Sequence, residues 1–511
     1  MTVVWDIGLK RKEGGKTMEN KFNLVDEPWI PVAGKGLVSL ADIFSDFTLS
    51  ALGGNPVQKI ALTKLLLAVA QTAYTPKDDE DWKILGVSGM ADKALAYLTE
   101  KKDLFWLYGE KPFLQMTGIE KAEVQGFGAV QASIATGNTT VLTQSQVEVS
   151  LTDAEKAILV VQMMGFGLGG KKTDNSVILS PGYQGKSNDK GKHSAGKPGP
   201  SIGFLGFLHS FLQGVSLQET IWLNFVTEEN LRDIKVFPNA IGIAPWEKMP
   251  QGEDCPVAKS LKGSYIGRLL PISRFILLAE VGVHYSEGIA HQGYAKGVVD
   301  ASVAVNFSTA KPKVLWVDPE KRPWRQLPAL LSFLGSEKKG AFDCLQLRIA
   351  IPRAKQSCRE FGLWSGGLRV SSNAGEQYVS GSNDFVESEF RLSSASLGDI
   401  WFSMLKQEMD DLDGLSKIVY GTTRSFFKVQ KAEGEKQAAQ ASNLFWQLCE
   451  RKFQTLVNAC DAGDMGEETK KLRHVFAGFA NKSYNTYCPK DTARQLDAWA
   501  ANCPDLSKYL A

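Results

Sequence analysis

The sequence predicts an α+β protein: a large, irregular mixed α/β N-terminal body followed by a C-terminal four-helix bundle. Three observations lead there. At 511 residues the chain exceeds what one typical core organises. Short strand-like and helix-like runs intermix as far as about residue 390. From about Leu397 onward, long amphipathic segments replace them. The expected division is therefore an α+β domain over 18–390 and a bundle over 391–511. Residues 1–17 read as a leader or upstream start, because Met18 offers an alternative beginning.

Taken in order, Ile60–Tyr74 (IALTKLLLAVAQTAY) is apolar at helical spacing and belongs in the core. Thr152 and Glu155 have capping-box spacing and open a helix through about Met164. From Gly165 to Pro200 the composition shifts to nine Gly, six Lys and two acids, which predicts a loop that buries nothing. Ser201–Gln218 carries no charge; polar His209, Ser210 and Gln213 argue against a membrane span. It reads as a buried helix leading into a strand at 220–226 (TIWLNFV). Strand-like runs follow at 275–283 (FILLAEVGV) and 314–317 (VLWV). Beyond residue 395 the apolar stripes recur every three or four residues. With 15 Lys and Arg against 15 Asp and Glu in 395–511, the bundle exterior is of mixed charge. No internal repeat is visible.

Composition excludes several classes. With 43% hydrophobic and 22% charged residues, the chain matches a soluble globular protein and not a disordered one. Lys and Arg total 58 against 56 Asp and Glu, so any nucleic-acid site is a local patch or is shared with basic partners. The seven cysteines show no zinc-knuckle or CxxC spacing and fit reduced thiols in a cytosol. Lys10, Arg11 and Lys12 follow too short an apolar stretch for a signal peptide. A cytoplasmic protein without metal, cofactor or membrane partner is expected.

Gly165–Gly170 (GFGLGG) satisfies GxGxxG, but a helix precedes it and a polar loop follows, the reverse of a dinucleotide fingerprint. As a phosphate loop it fails because Lys172 follows Lys171. A glycine strip beside lysines remains. It lets a backbone approach a groove closely while the lysines reach phosphates, and it also fits a plain surface loop. Trp364–Val379 reads as a β-hairpin whose small tip, Ser371 to Gly375, fits a DNA groove or an ordinary turn. The five histidines show no HxxxH, HxH or HExxH spacing, and no GxSxG occurs, so no active site assembles and the chain is not read as an enzyme. The acidic run Asp78–Asp81 reads as the first turn of a helix.

In this order, these stretches resemble the CasA family, the large subunit of type I-E CRISPR Cascade. Phe22–Val32 (FNLVDEPWIPV) is similar to the family's opening strand, and Pro76–Asp79 and Lys111–Gln115 to further landmarks. The glycine loop and the hairpin 365–388 fall where that family has its two DNA-probing elements, and the helical segments close the chain. The likeness spans residues 20–511.

The resemblance implies a subunit of an RNA-guided ribonucleoprotein surveillance complex in antiviral defence. It would recognise the short PAM in double-stranded DNA, largely through the minor groove, and help open the duplex for CRISPR RNA pairing. Gly167, Gly169, Gly170 and Lys171 would meet the groove. Lys296 would be the family's lysine finger, and Ser371, Ser372, Asn373, Ala374 and Gln377 the strand-separating wedge. Asn138, Val141, Leu142 and Gln144 would anchor the 5′ handle of the CRISPR RNA and neighbouring subunits. The implied partners are target DNA, CRISPR RNA, the backbone, handle-binding and small Cascade subunits, and a recruited helicase–nuclease. A purely architectural ribonucleoprotein subunit is the alternative. Some relatives carry a four-cysteine zinc site; here Cys255 stands alone nearby, so no zinc is expected. The lysines Lys186, Lys190, Lys192 and Lys197 leave two readings open: added contacts to the displaced strand, or a disordered insertion.

Overall fold

The computed structural model describes residues 19–131, 149–166, 174, 177–181, 183, 206–291, 300–308, 312–335, 341–369, 384–460 and 466–510. At its centre, the helix Pro56–Ala73 takes in the apolar run. Asn55 and Gln58 close a capping box around Pro56 at its first turn. Thirteen of its 18 residues are buried, because it packs on the helices Asp79–Glu100 and Asp153–Gly165 and on the long strand Glu360–Leu368. The predicted capping box at Thr152 is present, and that helix ends at Gly165.

Three of the four acids at 78–81 have a defined partner. Asp78 caps the helix Asp79–Glu100, Asp81 accepts from the Tyr74 hydroxyl at 2.9 Å and from the Lys77 N–H, and Asp79 accepts from Arg353 Nε at 2.7 Å. One turn on, Trp82 stacks on Trp222 with ring centroids 4.0 Å apart. Each indole donates to the other's backbone carbonyl, at 2.9 and 3.2 Å, so both polar edges are satisfied inside the core.

A three-stranded antiparallel sheet has Glu360–Leu368 in the middle, Phe385–Ser393 on one side and His209–Gln213 on the other. Its middle strand is rich in small residues for a reason. A Cβ on Gly367 would come within 2.7 Å of Phe207 O, and one on Gly366 within 2.7 Å of the Trp364 ring. A second sheet orders Val124–Gly126, Gly282–Glu287 and Arg274–Leu278.

Three expectations are corrected. The uncharged stretch is a strand followed by a helix, His209–Gln213 then Leu217–Leu223, not a helix then a strand. Ser216 accepts from the Glu219 N–H and starts that helix, and the Asn224 carboxamide donates to Leu212 O and Thr220 O to stop it. FILLAEVGV is not one strand but part of a hairpin, Arg274–Leu278 turning into Gly282–Glu287. The 165–200 stretch does bury residues: Ser180 and Tyr183 are enclosed, and buried Glu253 accepts from the N–H groups of Leu179 and Ser180. A carboxylate two residues before Cys255, far along the chain, carries no local sign of that partnership.

The C-terminal region is helical. Asp399–Val429, Glu435–Glu450 and Glu467–Tyr487 pack on one another, with the shorter Phe453–Ala459 and Ala493–Ala501 beside them. Trp324 of the body rests on Phe453 and Trp446, and the Arg325 guanidinium lies 3.7 Å over the Trp446 ring, so the two parts share one core. Among the described residues, no helix is long and apolar enough to cross a membrane. Cys255 is the N-cap of the helix Pro256–Lys262, its sulfur accepting from Ala258 N–H at 3.4 Å.

Replacing Trp222 by Ala removes the stacked ring and leaves the Trp82 indole beside a cavity. We expect a loss of about 3–5 kcal/mol, read as a shift of the urea midpoint; a change below about 1 kcal/mol contradicts the packing described.

Candidate nucleic-acid interface

Gly167, Gly169, Gly170, Lys171, Lys296, Ser371, Ser372, Asn373, Ala374, Gln377, Asn138, Val141, Leu142 and Gln144 all lie outside the described residues. The structure does place the residues from which each of these segments departs. They gather in two places.

The first is His209, the opening residue of its strand and completely buried. The helix Asp153–Gly165 ends against it: Phe166, the last described residue before the glycine loop, sets its ring edge-on to the imidazole at 5.6 Å. Gly366 lies opposite His209 in the sheet, and three residues further that strand reaches Arg369, whose N–H donates to Asp384 O at the base of the predicted hairpin. From the other side His209 forms a bridge to Val303, while Ser210 N–H donates to Ser302 O. The segment containing Lys296 returns to described structure at Asp300. Thus Phe166 before the glycine loop and Asp300 after the lysine segment both lie against His209, and the hairpin base stands three residues along the strand that pairs with it.

What fixes this meeting point is a buried ion pair. Lys64, in the middle of the Pro56–Ala73 helix, donates to Asp300 Oδ2, and both side chains are almost wholly enclosed. The second carboxylate oxygen, Oδ1, accepts from the Ser302 hydroxyl at 2.8 Å and the Ser302 N–H at 3.0 Å. With its proton committed to Asp300, the Ser302 oxygen accepts from His209 Nδ1 at 2.8 Å. Every proton in the chain Lys64–Asp300–Ser302–His209 therefore points toward the Asp300 carboxylate, which sets the imidazole tautomer with its hydrogen on Nδ1. Burial, with Lys64 nearby, pushes the His209 pKa down to about 3, so the ring is neutral. Burial pushes the Asp300 pKa up, but the Lys64 charge and the hydrogen bonds from Lys64 and Ser302 outweigh it and hold the carboxyl below its usual range.

The other end of the lysine segment is fixed in the same manner. His291 is buried; its Nε2–H donates to Pro271 O at 2.7 Å, and its Nδ1 accepts from Arg268 Nη1 at 2.6 Å. Arg268 also donates to Lys262 O. Burial lowers the His291 pKa to about 3 and the Arg268 pKa to about 10. Next to Pro271, Ile272 has φ +45°, a left-handed conformation that is costly for a β-branched residue. The neighbouring Ser273 N–H donates to Met164 O, tying this corner to the end of the helix that carries Phe166.

The second place is the opposite end of that helix. The segment holding Asn138 to Gln144 leaves at Gln131 and returns at Val149, beside the helix start at Asp153. Asp153 accepts from the Tyr108 hydroxyl at 2.8 Å and pairs with Lys21 at 3.1 Å. Thirteen helical residues separate this end from the glycine loop, about 20 Å along the axis. The expected DNA-facing and RNA-facing segments therefore depart from opposite ends of one helix.

Among the described residues, no group of three or more His, Cys, Asp and Glu could hold a metal ion. The ordered network around Lys64 is the feature that the sequence reading missed. Its one sequence signal is a lysine inside IALTKLLLAVA, where a cation must find a buried partner. Nothing in the sequence points to Asp300 as that partner.

Comparison with known proteins gives this arrangement a setting. A family model described as CRISPR-associated protein Cse1 matches residues 23–483. A CasA/Cse1 protein of Thermus thermophilus is 32% identical over 163 residues; the match covers 29% of this chain and 32% of that relative's length. Among solved structures, Thermus thermophilus CasA (Cse1) superposes with a TM-score of 0.71 at 20% identity, covering 96% of this chain and 99% of that one. Thermobifida fusca Cse1 gives 0.73 at 19% identity, covering 96% and 97%. A chain of a CRISPR RNA-guided surveillance complex gives 0.66 at 15% identity, covering 96% and 99%. The structural likeness carries the fold, and the fold and matched model together are those of a CRISPR-associated protein. The chain belongs to the CasA/Cse1 family.

Two measurements check the buried network. Lys64→Met strands Asp300 without its cation, and we expect a loss of about 3–5 kcal/mol. The double variant Lys64→Met/Asp300→Ala should recover part of it; no recovery contradicts a paired charge. Acid sensitivity is the second. Both histidines have folded pKa values lowered from 6.5 to about 3. The unfolded chain therefore takes up protons first as pH falls, and stability is full above about pH 6.5 and declines toward pH 3. At pH 5 each histidine accounts for about 2 kcal/mol. Urea unfolding at pH 7.5 and pH 5.0 reads this directly, and equal stability at the two values contradicts two buried neutral imidazoles.

Proposed function

We propose that the chain is the large subunit of a type I-E RNA-guided surveillance complex, and that it reads PAM in duplex DNA and helps open the duplex for CRISPR RNA pairing. Membership of the CasA/Cse1 family supports this reading, as does the likeness in fold to a chain of a CRISPR RNA-guided surveillance complex. The observation that carries it furthest is the convergence on His209. Segments far apart in sequence, each expected from the resemblance to touch DNA, are carried by elements that pack or pair around one buried histidine. A reader of a short DNA site needs its contacts held in a fixed mutual register, and rooting them on a common ion-paired core supplies that.

In this reading the backbone of Gly167, Gly169 and Gly170 enters the minor groove, Lys171 and Lys296 supply cations, and Ser371, Ser372, Asn373, Ala374 and Gln377 wedge between the strands. Asn138, Val141, Leu142 and Gln144, in the segment between Gln131 and Val149, hold the 5′ handle of the RNA and adjacent subunits. The C-terminal helices contact the small subunits and recruit a helicase–nuclease, so the chain itself cuts nothing. The protein works in the cytoplasm.

Gly169→Asp, tested in the assembled complex, places a carboxylate where a phosphate-flanked groove is expected. Each lost contact is worth about 1–3 kcal/mol, so PAM-dependent duplex binding should fall at least about tenfold while assembly is retained. Unchanged binding overturns the assignment of the glycine loop. Ser372→Ala/Asn373→Ala should slow strand opening with PAM binding intact; equal opening rates would instead favour an architectural subunit.

A further inference from the structure

The three-stranded sheet ends at the strand Phe385–Ser393. In an antiparallel ladder, alternate residues turn their N–H and C=O outward. Asp384 O accepts from Arg369 N–H, inside the ladder, so the outward residues of the strand are Phe385, Glu387, Glu389, Arg391 and Ser393. Arg391 is satisfied in an unusual manner. The Gln454 carboxamide donates to its C=O and accepts from its N–H, both at 2.9 Å, as a neighbouring strand would. For Glu387 and Glu389, nothing among the described residues bonds the outward main-chain N–H or C=O. The edge is thus closed at one end and open for the two preceding outward positions.

Beside the open part lies a cavity of about 290 Å³, between the strand and the helix Pro56–Ala73. Its wall includes Phe211 and Trp364, stacked with centroids 6.5 Å apart. Glu387 Oε2 accepts from Lys59 Nζ at 2.7 Å and from Trp364 Nε1 at 2.9 Å, and the Gln213 carboxamide nitrogen faces both Glu389 oxygens at 3.0 and 3.1 Å. The titratable groups of the lining are therefore two carboxylates against one ammonium. Arg391, outside the lining, pairs with Glu389 at 3.7 Å in an exposed position, a weak contact that an incoming cation can replace.

We propose that this edge and cavity dock an extended basic segment of a partner protein by strand addition, with one Lys or Arg side chain entering the cavity. Open main-chain groups dictate an extended occupant, since only a strand presents donors and acceptors at the matching repeat. The aromatic wall and the two lining carboxylates select a long cationic side chain over an acidic one. Gln454 limits the addition to the residues before Arg391.

The test uses the full chain and two acetylated, amidated hexapeptides, one alternating Arg and Val and one alternating Glu and Val. Fluorescence anisotropy gives affinity, and hydrogen exchange of the 385–392 region gives location. We expect the Arg–Val peptide to bind, to slow exchange at Glu387 and Glu389 at least tenfold, and to leave Arg391 unchanged; the Glu–Val peptide should do neither. Glu389→Pro removes the outward N–H at an edge position that tolerates proline, and should weaken binding at least tenfold with unchanged circular dichroism and melting. If that variant does not fold, Glu389→Arg keeps the main chain intact and reverses the charge, with the same loss expected. Equal affinity of the two peptides, unchanged exchange at Glu387 and Glu389, or wild-type affinity in the folded variant overturns the proposal.

Discussion

The meeting point around His209 depends on the pairing of Lys64 with Asp300. A single charge in such an enclosed position is prohibitively costly, and a pair is tolerable only when both partners are held in good geometry with their remaining hydrogen bonds filled. That requirement has structural consequences. Asp300 cannot drift from the central helix, Ser302 must give its proton to Asp300, and His209 must then present Nδ1–H to Ser302. A position in the chain that begins an otherwise unremarkable segment is thereby tied to the middle of the central helix Pro56–Ala73. Once His209 is placed, its ring supports Phe166 and its backbone sets the register of the central sheet strand, and so the base of the hairpin. A buried ion pair adds little net stability, but it is intolerant of misplacement, which suits a site whose parts must stay in register.

The same logic recurs at His291 and Glu253. Each is an enclosed polar group that binds a main-chain atom of another element: His291 through Pro271 O, Glu253 through the N–H groups of Leu179 and Ser180. Polar groups that must be satisfied act as clamps between segments remote in sequence, where apolar contacts alone would allow sliding. The irregular body, with its small sheets and short helices, depends on such clamps more than a regular layered fold does. At the junction with the C-terminal helices the device changes to aromatic contact, Trp324 against Phe453 and Trp446 with Arg325 across the ring.

Local signals were legible in the sequence and long-range pairings were not. The Thr152–Glu155 box, the acidic helix start at Asp78, the apolar helix around Ile60 and the amphipathic C-terminal run all declare themselves within a few residues, because capping and periodicity are local physics. The uncharged stretch misled because HSFLQ is a strand buried on both faces, which carries no alternation. Its helix, LQETIWL, begins at a serine cap easily mistaken for a turn. For the candidate site, a family likeness pointed to the loops, and Lys64 amid leucines hinted that a buried partner was needed. That the partner is Asp300, 236 positions away, follows only from the fold.

The most direct measurement places a photoreactive base at the PAM of a duplex bound by the assembled complex and identifies the crosslinked peptides by mass spectrometry. We expect adducts from the glycine loop at 165–170 and Lys171, the 292–299 segment and the hairpin tip at 371–375, all from one DNA position. Adducts confined to the C-terminal helices, or none on this chain while other subunits are labelled, would contradict it.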